Sequence, residues 1–297
     1  MTQANRRTLM KAALASAALG SFSLPARADV TTIGHVGLSF YEVTANVIGF
    51  VLERTNSQAA FESGSHSQIF PRVASGAVDL FVAAWLPTAH ADYWREYKSE
   101  LVEVSTLFDG ARLYWAVPAY VPAEAVRSVA DLKKPDVAEK MVKSIRGTLP
   151  DSGLMIGSRK IFDHYGLAEA GYTLEPGPAK EWIANFDARI AAKEWFVIPL
   201  WQPQYLNKAH KLRILEEPQQ LLGGPNRAVL VANKEFWGRL SKKQKAILSR
   251  VEMSVKAVTE MDYWVNAEKM SPRDAARRWI GTNSNTVTYW LAGPDED

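Results

Sequence analysis

Ten tryptophans, five histidines and no cysteine bound the chemistry open to this chain of 297 residues. Without cysteine there is no disulfide, no thiolate metal site and no cysteine nucleophile. His35, His66, His90, His164 and His210 show no metal-ligand spacing. G-x-S-x-G, Walker A, G-x-G-x-x-G and H-E-x-x-H patterns are all missing, so no hydrolytic, nucleotide-binding or cofactor signature emerges. Aromatic residues, by contrast, cluster at the ends of apolar runs. Trp85 ends "VDLFVAAW" and Trp201 ends "WFVIPLW". Tyr114 and Trp115 lie in "ARLYWAVP", and Phe40 and Tyr41 lie in "LSFYE".

Such rings suit one ligand class. A quaternary ammonium has no N–H to donate, so a protein holds it with ring faces, each contributing roughly 0.5 to 2 kcal/mol. Micromolar affinity needs about 8 kcal/mol after the costs of association, so a cage alone is marginal. A zwitterion adds a carboxylate, which backbone N–H groups at a helix start can bind. "PDSGLMIG" offers such a start at Ser152, Gly153 and Leu154, and the loop around Ser39 offers another.

The elements that must position these residues alternate. "VTTIGHVG" reads as a strand and "YEVTANVIGFVLERT" as a helix, which places Phe40 and Tyr41 between them. "AAFES" reads as a strand, "SQIFPRVAS" as a short helix, "VDLFVAAW" as a buried strand stopped by Pro87, and "ADYWREYKSEL" as a helix. His66 precedes a helix start, where capping is its simplest role. The β-α order argues for parallel strands covered by helices on both faces. It repeats after residue 142, with helices over "SGLMIGSRKIFDHYG" and "AKEWIANFDARIAAKE" before "WFVIPLW". Near the end, Ser241 and Gln244 form a capping box, and Ile247, Val251, Val255, Val258 and Val265 make one helical stripe. Ser271 and Pro272 start a further helix that Gly281 ends. Proline-rich "VPAYVP" and "EEPQQLLGGPN" mark two crossings, which predicts lobe I from residues 29–116 plus 221–297 and lobe II from 117–220. A cleft between lobes is a common ligand site. The C-terminal ends of sheet strands face such a crevice.

Residues 1–28 read as an export signal. Arg6, Arg7 and Lys11 precede the apolar "AALASAALGSFSL", and "ARA" places cleavage after Ala28. "NRRTLMK" resembles the twin-arginine motif. Removing the four positive charges of this segment takes the formal net charge from +3 to −1. The remainder gives no electrostatic case for nucleic acid.

"GAVDLFVAAWLPTAHADYW" resembles the signature of the glycine betaine/choline substrate-binding proteins of ABC importers. "IGHVGLSFYEVTA", "FDGARLYWAVPAYVP", "SVADLKKPD", "PDSGLM" and "IPLWQPQYLNKAHKLRILEEP" extend the likeness over nearly all of the chain after residue 28. The resemblance implies an α/β, two-lobed periplasmic binding protein fold of type II-like form, with parallel-rich sheets, that closes on ligand. It implies that Trp85 and Trp201 are cage residues of opposite lobes. Tyr114 matches an aromatic on the crossing strand, and Gly153 and Leu154 match a helix-start loop near the ligand. Phe40, Ser39 and Tyr41 occupy the first loop, where relatives often carry a tryptophan, and Glu42 supplies negative charge there. His90, five residues after Trp85, is the candidate polar contact. The implied protein is a periplasmic monomer that needs no cofactor or metal and hands its ligand to a membrane permease with its ATPase. Histidine or an aromatic betaine is an alternative ligand, and an exported enzyme working in the same cleft is the alternative class.

Overall fold

The computed structural model describes residues 29–292. The export signal expected over residues 1–28 lies outside the described residues. After β1 (Asp29–Val36) come α1 (Ser39–Glu53), β2 (Ser57–Gly64), α2 (His66–Ala74), β3 (Leu80–Leu86) and α3 (Ala91–Tyr97). The long strand β4 (Leu101–Pro118) leads to α4 (Pro135–Lys140), β5 (Ser144–Arg146), α5 (Gly153–His164), β6 (Thr173–Glu175) and α6 (Ala179–Ala191). Next come β7 (Ile198–Gln202), α7 (Leu206–Ala209), β8 (Leu212–Ile214) and β9 (Asn226–Asn233). The C-terminal helices are α8 (Lys234–Arg239), α9 (Lys242–Leu248), α10 (Val255–Asn266), α11 (Pro272–Thr282) and α12 (Ser284–Leu291). Among the described residues no helix is long and apolar enough to cross a membrane.

The main sheet runs β2-β1-β3-β9-β4-β7, with β8 also on β4. It is mixed. β2, β1 and β3 are parallel, as the alternating order predicts. β9 lies antiparallel between β3 and β4, and β7 and β8 are antiparallel to β4. The parallel-rich expectation therefore holds for the first strands and for the β5–β6 pair. It does not extend to β4, β7, β8 and β9, which pair antiparallel. Every residue of β3 is buried, consistent with cover on both faces. α1 buries Phe40, Val43, Thr44, Val47, Ile48 and Val51 at three- and four-residue spacing, which fixes its inner face.

β4 is the element that joins the two halves. Its first part pairs with β9 from Leu101 to Ala111, and its second part pairs with β7 from Arg112 onward. The change of partner falls a few residues before the proline-marked crossing at Val117. Three expectations are corrected here. α1 begins at Ser39, so Phe40 and Tyr41 sit in its first turn rather than in a loop. α11 runs one residue past Gly281, whose position leaves room for a Cβ. The single C-terminal stripe splits into α9 and α10. Between them Met253 donates its N–H to the Leu107 carbonyl of β4, and the Ser254 hydroxyl then accepts from the Ala257 N–H to start α10.

Candidate ligand-binding site

Three rings from three elements meet in one cavity. Phe40 stands in the first turn of α1, Trp85 near the end of β3 and Trp201 near the end of β7. The Phe40 ring centroid lies 5.7 Å from that of Trp85 and 5.8 Å from that of Trp201. Tyr41 is 6.2 Å from Trp85 and completes that wall. The cavity, about 30 Å³ in volume, is also lined by His66, His90, Leu113, Thr148, Ser152, Gly153 and Leu154. Trp85 remains within β3, which ends one residue later at Leu86, so strand geometry aims its ring.

The rings are buried but their polar edges are not satisfied. The indole N–H groups of Trp85 and Trp201 have no hydrogen-bond partner, and neither has that of Trp182. Trp182, from α6, stacks behind Trp201 at 5.1 Å and 23° between planes. Buried donors without acceptors are uncommon, because each forfeits about 1 to 3 kcal/mol of solvation. Their concentration around one cavity marks it out from the ordinary core. The indole of Trp115, by contrast, donates to the Ser158 hydroxyl at 2.8 Å, as a core tryptophan should.

The cavity lining also has polar groups. The Ser152 hydroxyl caps α5 by accepting from the Met155 N–H at 3.2 Å. The N–H groups of Gly153 and Leu154 open that helix and have no carbonyl partner within it. They carry the positive end of the helix dipole. His90 accepts from the Trp85 backbone N–H at Nδ1, at 2.9 Å. Its proton therefore sits on Nε2, on a ring that lines the cavity. Burial, with a smaller push from His66, holds the His90 pKa well below the usual imidazole range. His66 lies 4.6 Å from His90, ring edge to ring face, and its Nδ1 has no partner. Burial brings its pKa down to about 4, against an opposing pull from Asp151. Both imidazoles are neutral at pH 7.

Asp151 reaches across to α2. Its Oδ2 accepts from the N–H and the hydroxyl of Ser67, each at 2.9 Å. Burial works to raise its pKa, but the Ser67 hydrogen bonds and His66 outweigh it and keep the carboxyl below its usual range.

The sequence-derived candidates divide into two groups. Phe40, Tyr41, Trp85, His90, Gly153, Leu154 and Trp201 line the cavity together. Tyr114 and Ser39 do not. Alternation along β4 gives the cavity Leu113 instead, and the Tyr114 hydroxyl donates to Asn207 and the Trp201 carbonyl from behind. Ser39 lines a neighbouring groove of about 300 Å³ with Glu42, Trp182, Trp201 and Asp262. Its hydroxyl donates to Asp262 Oδ1 at 2.5 Å. Sequence reasoning missed His66, Trp182 and Asp262. The one available signal was an aspartate in the buried run "MDYW", Met261 to Trp264. Among the described residues no group of three His, Cys, Asp or Glu side chains is placed to hold a metal ion.

Residues 30–282 match the family described as the substrate binding domain of the ABC-type glycine betaine transport system. The chain belongs to that family. A curated relative, the glycine betaine/carnitine transport binding protein GbuC of Listeria monocytogenes, is 22% identical over 168 residues. That match spans 56% of this chain and 54% of the relative, about half its length. Among solved structures, the glycine/betaine/L-proline-binding protein ProX of Borrelia burgdorferi superposes with a TM-score of 0.81 at 23% identity, covering 90% of this chain and 98% of that one. Lactococcal OpuAC, in its closed form with glycine betaine, gives 0.80 at 20%, covering 89% and 100%. A choline binding protein with choline gives 0.77 at 16%, covering 90% and 93%. The fold is thus the α/β two-lobed periplasmic binding protein fold, and family members are solute-binding proteins rather than enzymes.

Proposed function

We propose that the protein captures a quaternary ammonium zwitterion of the glycine betaine type for an ABC importer. The observation that carries this reading is the cavity's mixed lining. Phe40, Trp85 and Trp201 bring three ring systems to it, and His90 with the first N–H groups of α5 brings hydrogen-bond donors. The cation enters among the rings, and the carboxylate accepts from Gly153 N–H, Leu154 N–H and His90 Nε2–H. Three rings contribute roughly 1.5 to 6 kcal/mol, so the anionic end is needed for micromolar binding.

The lining favours a quaternary over a primary ammonium. A primary amine brings three N–H donors that need acceptors, yet no Asp or Glu lines this cavity. This argues against histidine. No bond is made or broken in this reading. Closure of one lobe on the other traps the ligand, and ligand contacts with both lobes favour the closed form. Export to the periplasm, a monomeric state and delivery to a permease and its ATPase belong to the same reading.

Calorimetric titration against glycine betaine, proline betaine, choline, carnitine and histidine tests it. Glycine betaine or proline betaine should bind at micromolar concentration or tighter, with choline weaker for want of a carboxylate. Tight binding of histidine alone would sink the reading, as would turnover of a bound ligand.

A further inference from the structure

The groove beside the cavity contains a carboxylate that the capture of a zwitterion does not explain. Asp262, on α10, is 1% exposed and takes part in no ion pair among the described residues. Its Oδ1 accepts from the Ser39 hydroxyl at 2.5 Å and from Asn266 Nδ2 at 3.0 Å. Its Oδ2 accepts from the Tyr205 backbone N–H at 2.6 Å. Ser39 immediately precedes Phe40, and Tyr205 follows Trp201 by four residues. One side chain is thus bonded to both segments that carry facing walls of the cavity. Their rings are 5.8 Å apart. Asn207 adds a second pin on the same segment, donating from Nδ2 to the Trp201 carbonyl at 2.8 Å.

We propose that Asp262 is a positioning residue that clamps the Phe40 wall to the Trp201 wall and couples ligand capture to a proton. This rests on the reading of the cavity as a betaine site. An uncompensated carboxylate in a dry site is costly as an anion and acceptable as a neutral acid. When protonated, its O–H can donate to the Ser39 oxygen, since a hydroxyl takes either role. The ionisable groups around it do not neutralise its charge. Glu42 of α1 faces the same groove and adds repulsion, and Lys180 of α6 lines that groove without pairing to Asp262. Tyr205 is held neutral, its hydroxyl pushed up by burial. Lys208 is engaged by Glu260. Burial, the largest influence on Asp262, raises its carboxyl to about 7, while the Ser39, Tyr205 and Asn266 hydrogen bonds hold it from going higher.

The sign follows. A carboxyl raised in the closed arrangement binds a proton that the open, solvated form releases. Closure is favoured at low pH, and the advantage is lost as pH rises from about 4 through about 7. The experiment is calorimetric titration with glycine betaine from about pH 5.5 to about pH 8, in two buffers of different ionisation enthalpy. For the native protein, Kd should rise about fivefold or more across that range, with proton uptake on binding. Asp262→Asn keeps an acceptor for Tyr205 and should bind with Kd independent of pH. Asp262→Ala loses the clamp and should bind about tenfold more weakly at every pH. A flat native profile overturns the proposal, and so does an Asp262→Asn profile that tracks the native one.

If no quaternary ammonium binds the native protein, the betaine reading fails, and the clamp is read without ligand. Tryptophan emission, reporting Trp201 and Trp182, should then show a transition near pH 7 in the native protein that Asp262→Asn lacks. Identical emission profiles overturn the clamp.

Discussion

The backbone N–H of Trp85 donates to Nδ1 of His90 across 2.9 Å. The peptide group of Trp85 thus also chooses the tautomer of a histidine that lines the same cavity. Nδ1 must stay unprotonated to accept, so Nε2 carries the hydrogen offered to the cavity. His90→Ala leaves a buried N–H without a partner, which costs about 1 to 3 kcal/mol. The melting temperature should fall by roughly 2 to 10 °C for a chain of this size. Glycine betaine affinity should fall more than that of choline, which has no carboxylate to lose. A melting curve and paired titrations check both statements. Equal losses for the two ligands would show that Nε2 does not meet the anion.

Acid should destabilise the protein through His66. Its pKa in the folded chain is lowered to about 4 by burial, below the ordinary 6.5. Below pH 6.5 the unfolded chain takes up a proton that the folded chain refuses. Stability is therefore lost as pH falls from 6.5 to about 4, by up to roughly 3 kcal/mol from this group. His66→Gln cannot titrate. The difference in melting temperature between the native protein and His66→Gln should shift steadily over that window, to the native protein's disadvantage as acid is added. A constant difference would mean that the imidazole is charged when folded.

How far the sequence could be read depended on the range of the interactions. Apolar runs, caps and glycines located β1, β3, α5 and β7 within about three residues, because those signals are local. The positions of Trp85 and Trp201 at strand ends pointed to the cavity for the same reason. β4 was not legible as an 18-residue strand, since its burial follows two different sheets along its length. Leu113 rather than its neighbour Tyr114 lines the cavity, and the sequence "RLYW" does not say which of two alternating residues does so. His66 looked like a cap, and it does begin α2. Its packing against His90 depends on a loop 24 residues away. Asp262 meets Ser39 across 223 residues of chain, a separation that no periodicity reports.

The two cavity-lining tryptophans, Trp85 and Trp201, should separate in their effects from Trp182 behind them. Removing a buried Trp side chain costs about 3 to 5 kcal/mol of stability in itself, so alanine confuses folding with binding. Phenylalanine keeps a ring and much of the packing. Trp85→Phe and Trp201→Phe should each weaken glycine betaine binding about tenfold, the loss of roughly 1.4 kcal/mol expected when the strongest ring donor becomes the weakest. Trp182→Phe should change affinity by about threefold or less, since Trp182 supports Trp201 without lining the cavity itself. Titration calorimetry with melting curves for all three variants tests the order. An effect of Trp182→Phe equal to that of Trp201→Phe would place the cation in the neighbouring groove instead.

Gly153 offers a test of closure that leaves the chemistry of the cavity intact. A Cβ added there would stand 2.3 Å from the carbonyl oxygen of Ala89, far inside contact distance. Ala89 adjoins His90 after β3, while Gly153 opens α5, so under the proposed closure these two backbones approach as the cleft shuts. The obstacle is backbone on both sides and cannot rotate away. Alanine, meanwhile, is a good residue inside the first turn of a helix, so the lobe that carries α5 should fold normally. Gly153→Ala should therefore melt within a few degrees of the native protein yet bind glycine betaine at least about tenfold more weakly. Closure would be obstructed and the α5 donors kept away from the rings. Small-angle scattering with saturating ligand should show a larger radius of gyration for Gly153→Ala than for the native protein. Equal radii and equal affinities would mean that ligand capture does not require the Ala89–Gly153 approach.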